Sequence, residues 1–220
     1  MKFERRFLIA RSLARLIQRE SRATGRVVEA FFAPQPNRTQ LVRITPDGAQ
    51  LILDTRTGDE WERNAADVPL SHAASLVEVA SGHLAYDRTI IPIGDGRCGF
   101  VDRIFEPGQL NLVTIAFAPR EGAEFELPTW FGREVTPDTA FANVTMAFRG
   151  VPEAHEEISN DTLEALLHDL DDLYGRAEIR QSGAYAGPTS LQAQSELKLS
   201  IKSRTEDVMA HPFTGWSVRA

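Results

Sequence analysis

Few residues of this chain could carry chemistry on their own. There is one cysteine, Cys98, and there are five histidines. No histidine stands at a spacing from Cys98 that would build a thiolate nucleophile, and no cysteine pair offers zinc spacing. A lone thiol excludes an intramolecular disulfide and fits a reducing compartment, so the expected location is the cytoplasm. The stretch that stands apart is LPTWFGREVTPDTAFAN, residues 127–143. Two prolines, Trp130, Gly132 and the charged neighbours Arg133 and Glu134 make an irregular segment, costly to order unless it packs against something. Trp130 and Phe131 read as a plug for one end of a fold rather than a stacking platform for a base.

The elements that must position any site are legible from composition and patterning. With 220 residues, 42% of them hydrophobic, the chain can bury a sizeable core. A net charge of -7 and a pI near 5.3 argue against nucleic acid or an anionic membrane as partners, while leaving room for a local basic pocket. The opening MKFERRFLIARSLARLI never reaches a long apolar run, so it reads as neither a secretory signal nor a membrane span. Arg11, Arg15, Arg19 and Arg22 alternate at helical spacing with Leu13, Leu16 and Ile17. They form the solvated face of a helix after residue 10.

Short apolar runs then alternate with turn chemistry. RVVEAFFA, TQLVRI and AQLILDTR are separated by PQPN and PDG, which predicts an antiparallel meander. LSHAASLVEVASG, residues 70–82, has helical spacing behind a Ser71 cap and a stop at Gly82. RTIIPI, CGFVDRIFE and LNLVTIAFA return to strands, and a further short helix is expected near residue 122. Two regions follow from this: residues 1–150, mostly sheet, and an extension over 151–220. In the extension, Leu163, Leu166, Leu167, Leu170 and Leu173 share one face of a helix over 161–174, and SELKLSIKSR alternates as a half-buried strand over about 195–203. The leucine face is expected to dock on the chain's own sheet; docking on another copy, as a homodimer, is the alternative.

The segment 127–143 resembles the closing motif of the CYTH family. These are the triphosphate tunnel metalloenzymes, which include class IV adenylyl cyclases, thiamine triphosphatases and inorganic triphosphatases. Pro128, Trp130, Gly132, Glu134, Val135, Thr136, Asp138 and Asn143 stand in register with it, Phe141 replacing a tyrosine. FERRFLIA is similar to the family's opening motif, NRTQLVRI to its arginine-bearing strand, and VDRIF to a later strand. The resemblance spans most of residues 1–147 and implies an α+β fold: an antiparallel β-barrel, with flanking helices, whose interior binds a triphosphate.

What the resemblance implies about the site is divided. Arg6, Arg38, Arg43, Arg56 and Arg88 fall on or near positions where relatives bind phosphate, and guanidinium forks suit phosphate oxygens. Leu41 and Asp54 stand where an arginine and a lysine are expected. The acidic set that would hold Mg²⁺ or Mn²⁺ is thinner: Lys2, Thr114, Ala116, Arg63 and Ala65 occupy acidic positions. Glu4, Asp102 and Asp54 are the remaining metal candidates, with Glu62 and Asp67 nearby in sequence. No organic cofactor is implied.

The expected function is therefore binding of a triphosphate or other polyanionic small molecule in an Arg-lined tunnel, with a degenerate active site giving weak turnover or none. The alternative is an active metal-dependent phosphohydrolase of tripolyphosphate or a nucleoside triphosphate, with Asp54, Glu4 and Asp102 in a rearranged site. Adenylyl cyclase chemistry ranks lower, since no residue offers itself to read a base or activate a ribose hydroxyl. A scaffold or assembly role built on the extension is a further alternative.

Overall fold

The structure, a computed structural model, describes residues 3–21, 24–58, 60–93, 97–117, 126–154, 156, 159 and 161–170. Its strands are β1 (Phe3–Leu8), β2 (Thr24–Phe31), β3 (Arg38–Thr45), β4 (Gly48–Thr57), β5 (Glu60–Val68), β6 (Gly82–Pro92), β7 (Cys98–Glu106) and β8 (Leu110–Phe117). The helices are α1 (Arg11–Glu20), α2 (Leu70–Glu78), a 3-10 turn at Thr139–Phe141, α3 (Asn143–Arg149) and the helical residues 161–170. The expected strand 195–203 and the helix near 122 lie outside the described residues.

All eight strands join one antiparallel sheet in the order β1-β8-β7-β6-β2-β3-β4-β5. The two edge strands are not hydrogen-bonded to each other, so the expected barrel takes the form of an open sheet among the described residues. The sheet nevertheless curls: one side chain, Asn143, accepts from Arg6 on the edge strand β1 and donates to Glu29 on β2, four strands along the sheet. The free edge of β1 is occupied by residues 132–136. Leu8 N–H donates to the Arg133 carbonyl at 2.9 Å, Gly132 N–H to the Leu8 carbonyl at 2.9 Å, and Val135 N–H to the Arg6 carbonyl at 2.8 Å. The segment 127–143 thus seals a sheet edge that would otherwise expose unpaired backbone groups.

Strand alternation divides the side chains into an inner and an outer face. On the outer face Phe7, Ile9, Val101, Val113 and Ile115 pack with Leu13 and Ile17 of α1, with Trp130, and with Leu166 and Leu170 of residues 161–170. The basic residues Arg11, Arg15 and Arg19 of α1 are exposed, as its amphipathic spacing predicts. Leu166 and Leu170 are buried against the chain's own sheet. Trp130 is buried there too, its indole N–H donating to Asp169 at 3.0 Å. It covers the outer face rather than plugging an end, because the backbone pairing of residues 132–135 with β1 carries the chain past the sheet edge. Elsewhere on that face α2 covers Ala30, Val42 and Ala49 through Ala73. Its N-cap is Pro69 rather than the expected Ser71.

The inner face interleaves apolar and charged side chains: Val27 and Phe31 flank Glu29 on β2, Leu41 neighbours Arg43 on β3, and Ile52 neighbours Asp54 on β4. Val27, Phe31, Leu41, Ile52, Leu84 and Leu112 pack with Phe141 and Met146 of the 3-10 turn and α3. Gly150 ends α3 with φ 86°, a conformation that costs glycine nothing.

Candidate functional site

Four arginines reach the inner face from four strands, and three of them, Arg43, Arg63 and Arg88, are each paired with a carboxylate. Asp54 and Arg63 are directly paired across β4 and β5, and both Asp54 oxygens accept from Arg63 Nε and Nη2. Arg88 and Asp102 are paired across β6 and β7, with Nε and Nη2 each 2.7 Å from an Asp102 oxygen. Arg43 and Glu29 are paired across β3 and β2, and Arg43 Nε donates to Glu29 Oε1 at 2.8 Å. Arg6 completes the set from β1. Its Nη1 donates to the Phe141 carbonyl and, at 3.1 Å, to Asn143 Oδ1.

Glu29 is the hub on which these contacts converge. Besides Arg43 it accepts from the Tyr86 hydroxyl at 3.2 Å and from Asn143 Nδ2 at 2.8 Å. Burial would raise its pKa, but the Arg43 charge, the Asn143 hydrogen bond and the Arg88 charge together hold it below the ordinary carboxylate value. Burial likewise pulls Arg88 down, and is outweighed by the Asp102 charge and hydrogen bond, leaving Arg88 well above its ordinary value. Arg43 shows the same contest and the same outcome with Glu29. At Arg6 burial wins over the charges of Glu4 and Asp102, and its pKa is lowered. The Arg88 guanidinium also lies 4.8 Å from the Phe100 ring centre and 5.2 Å from that of Tyr86.

Glu4 differs from the other carboxylates. Burial raises its pKa, against the lowering pull of Arg6, Arg88, Arg63 and Arg43. Opposite it on β8 stands Ala116, and opposite Arg6 stands Thr114. The Thr114 hydroxyl and Arg63 Nη1 are buried with no hydrogen-bond partner. Such groups carry a desolvation cost of about 1–3 kcal/mol each until an acceptor or donor reaches them.

Of the residues expected from sequence to bind a ligand, Arg6, Arg43 and Arg88 come together on the inner face. Arg38 is exposed and alternates with Thr39 and Leu41, so it belongs to the outer face. Arg56 shares the face of Asp54 but is exposed near the β4–β5 turn, its Nε donating to the Gly58 carbonyl at 3.0 Å. Asp54 turns to Arg63 across the strand pair rather than along its own strand. Glu62 alternates to the outer face, and Asp67 is exposed, accepting from Gln50 Nε2 at 2.9 Å. The sequence reading did not single out Glu29, Tyr86 or Asn143 as site residues. A signal for Glu29 was available: it is a lone charge in phase with Val27 and Phe31 on an apolar strand.

The segment 127–143 braces this arrangement. Glu134 takes both Arg5 Nε and Nη2, at 3.0 and 2.7 Å. Thr136 Oγ1 accepts from the Arg6 backbone N–H at 2.8 Å and donates to Glu134 at 2.7 Å. Asp138 caps the 3-10 turn by accepting from Ala140 N–H at 3.0 Å. A Cβ at Gly132 would stand 2.7 Å from the Glu156 carboxyl carbon, the movable end of a flexible side chain, so a larger residue there would displace that carboxylate.

The metal candidates do not fit a divalent cation as they stand. Both oxygens of Asp54 and both of Asp102 are taken by guanidinium groups. Among the described residues no three His, Cys, Asp or Glu side chains are grouped to hold an ion. A hard cation needs several oxygen ligands at once, and here two of the three candidate carboxylates would first have to leave their arginines. No chemical step is assigned to a metal.

No family model and no curated protein matches the chain. Solved structures do match, among them two of one protein. The structure of the hypothetical protein NE1496 is 20% identical over 69% of this chain and 100% of that chain, with a TM-score of 0.52. The structure of the inorganic triphosphatase NE1496 is 19% identical over 69% and 97%, with a TM-score of 0.52. At these identities the likeness is one of fold, and the chain has a CYTH-like fold. No helix among the described residues is long and apolar enough to cross a membrane.

Proposed function

We propose that the chain binds a triphosphate or another polyanionic small molecule on its inner face, and turns it over weakly or not at all. The observation that carries this reading is the convergence of Arg6, Arg43, Arg63 and Arg88 from four strands onto one curled face. A guanidinium has five N–H donors, and a two-pronged carboxylate uses two, so each paired arginine keeps donors for phosphate oxygens. The carboxylates act as fixed counter-charges that hold the forks in place before the ligand arrives, which reduces the ordering cost of binding. The unpartnered Arg63 Nη1 and Thr114 hydroxyl support the same reading.

A second reading, hydrolysis of the terminal phosphoryl of tripolyphosphate or a nucleoside triphosphate, draws its support from Glu4. That carboxyl has a raised pKa and sits beside the arginines, as a proton-transfer group would. In its metal-dependent form this reading requires Asp54 and Asp102 to exchange arginines for Mg²⁺ or Mn²⁺. Thermal shift with tripolyphosphate and ATP, run beside phosphate release with Mg²⁺, with Mn²⁺ and with EDTA, separates the two. Stabilisation without turnover is expected; metal-dependent release of phosphate would replace the first reading with the second.

A further inference from the structure

The two edges of the sheet differ. Residues 132–136 pair with the outer side of β1, whereas among the described residues nothing pairs with the outer side of β5. β5 is nine residues long, and its register with β4 runs unbroken from Thr57↔Glu60 to Ala49↔Val68. It has no proline, lysine, glycine or bulge to blunt it. Its one inward arginine, Arg63, is turned away from the edge, to Asp54 on β4. A long regular edge of unpaired N–H and C=O groups is a template for another strand.

The side chains of β5 suit a second copy of itself. At its middle Asn64, Ala65 and Ala66 are exposed, small and uncharged, with Glu62 and Arg63 before them and Asp67 after. A two-fold axis through such an edge sets the two strands antiparallel, and each contact occurs twice. Centred on Ala65, the pairing puts alanine on alanine, Asn64 on the partner's Ala66, and Arg63 on the partner's Asp67. Opposite charges then face each other and like charges do not. Centred on Arg63, the same pairing would oppose two arginines. Parallel pairing in register would oppose Glu62, Arg63 and Asp67 each with its own kind. The outer surface next to this centre is apolar: Leu51, which pairs with Ala66, is 38% exposed, and Leu70, just past the end of β5, is 59% exposed.

We propose that two copies of the chain associate antiparallel through the free edge of β5, about a two-fold axis at Ala65, so that the sheet continues from one protomer into its partner. A contact one strand wide lies at the small end of interface sizes, and the association is reversible. It goes beyond the polyanion reading and does not depend on it.

The test is sedimentation equilibrium of the full chain over a range of concentrations. The average mass is expected to rise from 24.4 kDa toward twice that value. Ala65→Lys and Ala65→Asp each set like charges against each other on the axis, and each alone should keep the single-chain mass. An equimolar mixture of the two should regain the double mass as a heterodimer. Ser12→Lys, which adds the same charge on the exposed face of α1, should associate as the wild type does. A wild type that keeps the single-chain mass at every concentration overturns the proposal. A dimer that persists in Ala65→Lys, or a mixture that does not reassociate, places the contact elsewhere and overturns it as well.

Discussion

Asp54 and Arg63 face each other across β4 and β5 and join through both carboxylate oxygens, with side-chain exposures of 9% and 7%. By the resemblance, the first stands where a lysine is expected and the second where an acid is, so the pair carries the two charges in exchanged positions. Removing one partner leaves the other charged, buried and unpaired. Asp54→Ala is expected to lower stability by about 3–5 kcal/mol. The double variant Asp54→Ala, Arg63→Ala should cost less than the sum of the single losses, with a coupling of about 1 kcal/mol or more. Urea unfolding of the four proteins measures this, and additive losses would mean the pair is not a unit.

Glu4 gives a prediction in pH. Its folded-state pKa is raised, chiefly by burial, so the folded chain holds that proton more tightly than the unfolded one. Stability from this group is present below the unfolded value, about 4.3, and is lost as pH rises through the folded value. Glu4→Gln should therefore be more stable than wild type at pH 7, with the difference closing as pH falls to about 4. Glu29 and Glu134, whose pKa values are lowered, act oppositely: their contribution is lost as pH falls. Paired chemical denaturation of wild type and variant across this range isolates Glu4, and a variant less stable at pH 7 would contradict its assignment.

The helix at 161–170 gives a packing test. Leu166 is fully buried in the cluster that contains Phe7, Leu13 and Trp130. Leu166→Ala should cost about 2–5 kcal/mol, as a cavity under a docked helix does. Trp130→Phe, which loses the hydrogen bond to Asp169, should cost about 1 kcal/mol. If Leu166→Ala changes the urea midpoint by no more than a surface substitution would, the helix does not dock on its own sheet in solution.

What could be read in the sequence follows from which forces are local. The strands and α1 were legible because apolar periodicity and turn residues report which face is buried. The segment 127–143 was legible as a unit, but its work was not: Glu134 answers Arg5, Thr136 answers Arg6, and Asn143 joins Arg6 to Glu29, all across more than a hundred residues. Arg63 and Asp54 could be named separately, yet their pairing depends on the register of β4 against β5, which no spacing within either strand fixes. Arg38 was misplaced for the same kind of reason: one step along β3 separates it from the inward Thr39.

The most direct test is titration of the full chain with tripolyphosphate in EDTA and again in excess Mg²⁺, with phosphate release followed in both. If the arginines bind the polyanion and the carboxylates serve them, saturable binding appears in EDTA, and phosphate release is slow or absent in both conditions and is not raised by Mg²⁺. Binding or turnover that appears only with Mg²⁺ would mean that Asp54 and Asp102 leave their arginines for the metal, and would contradict the assignment of those carboxylates as counter-charges.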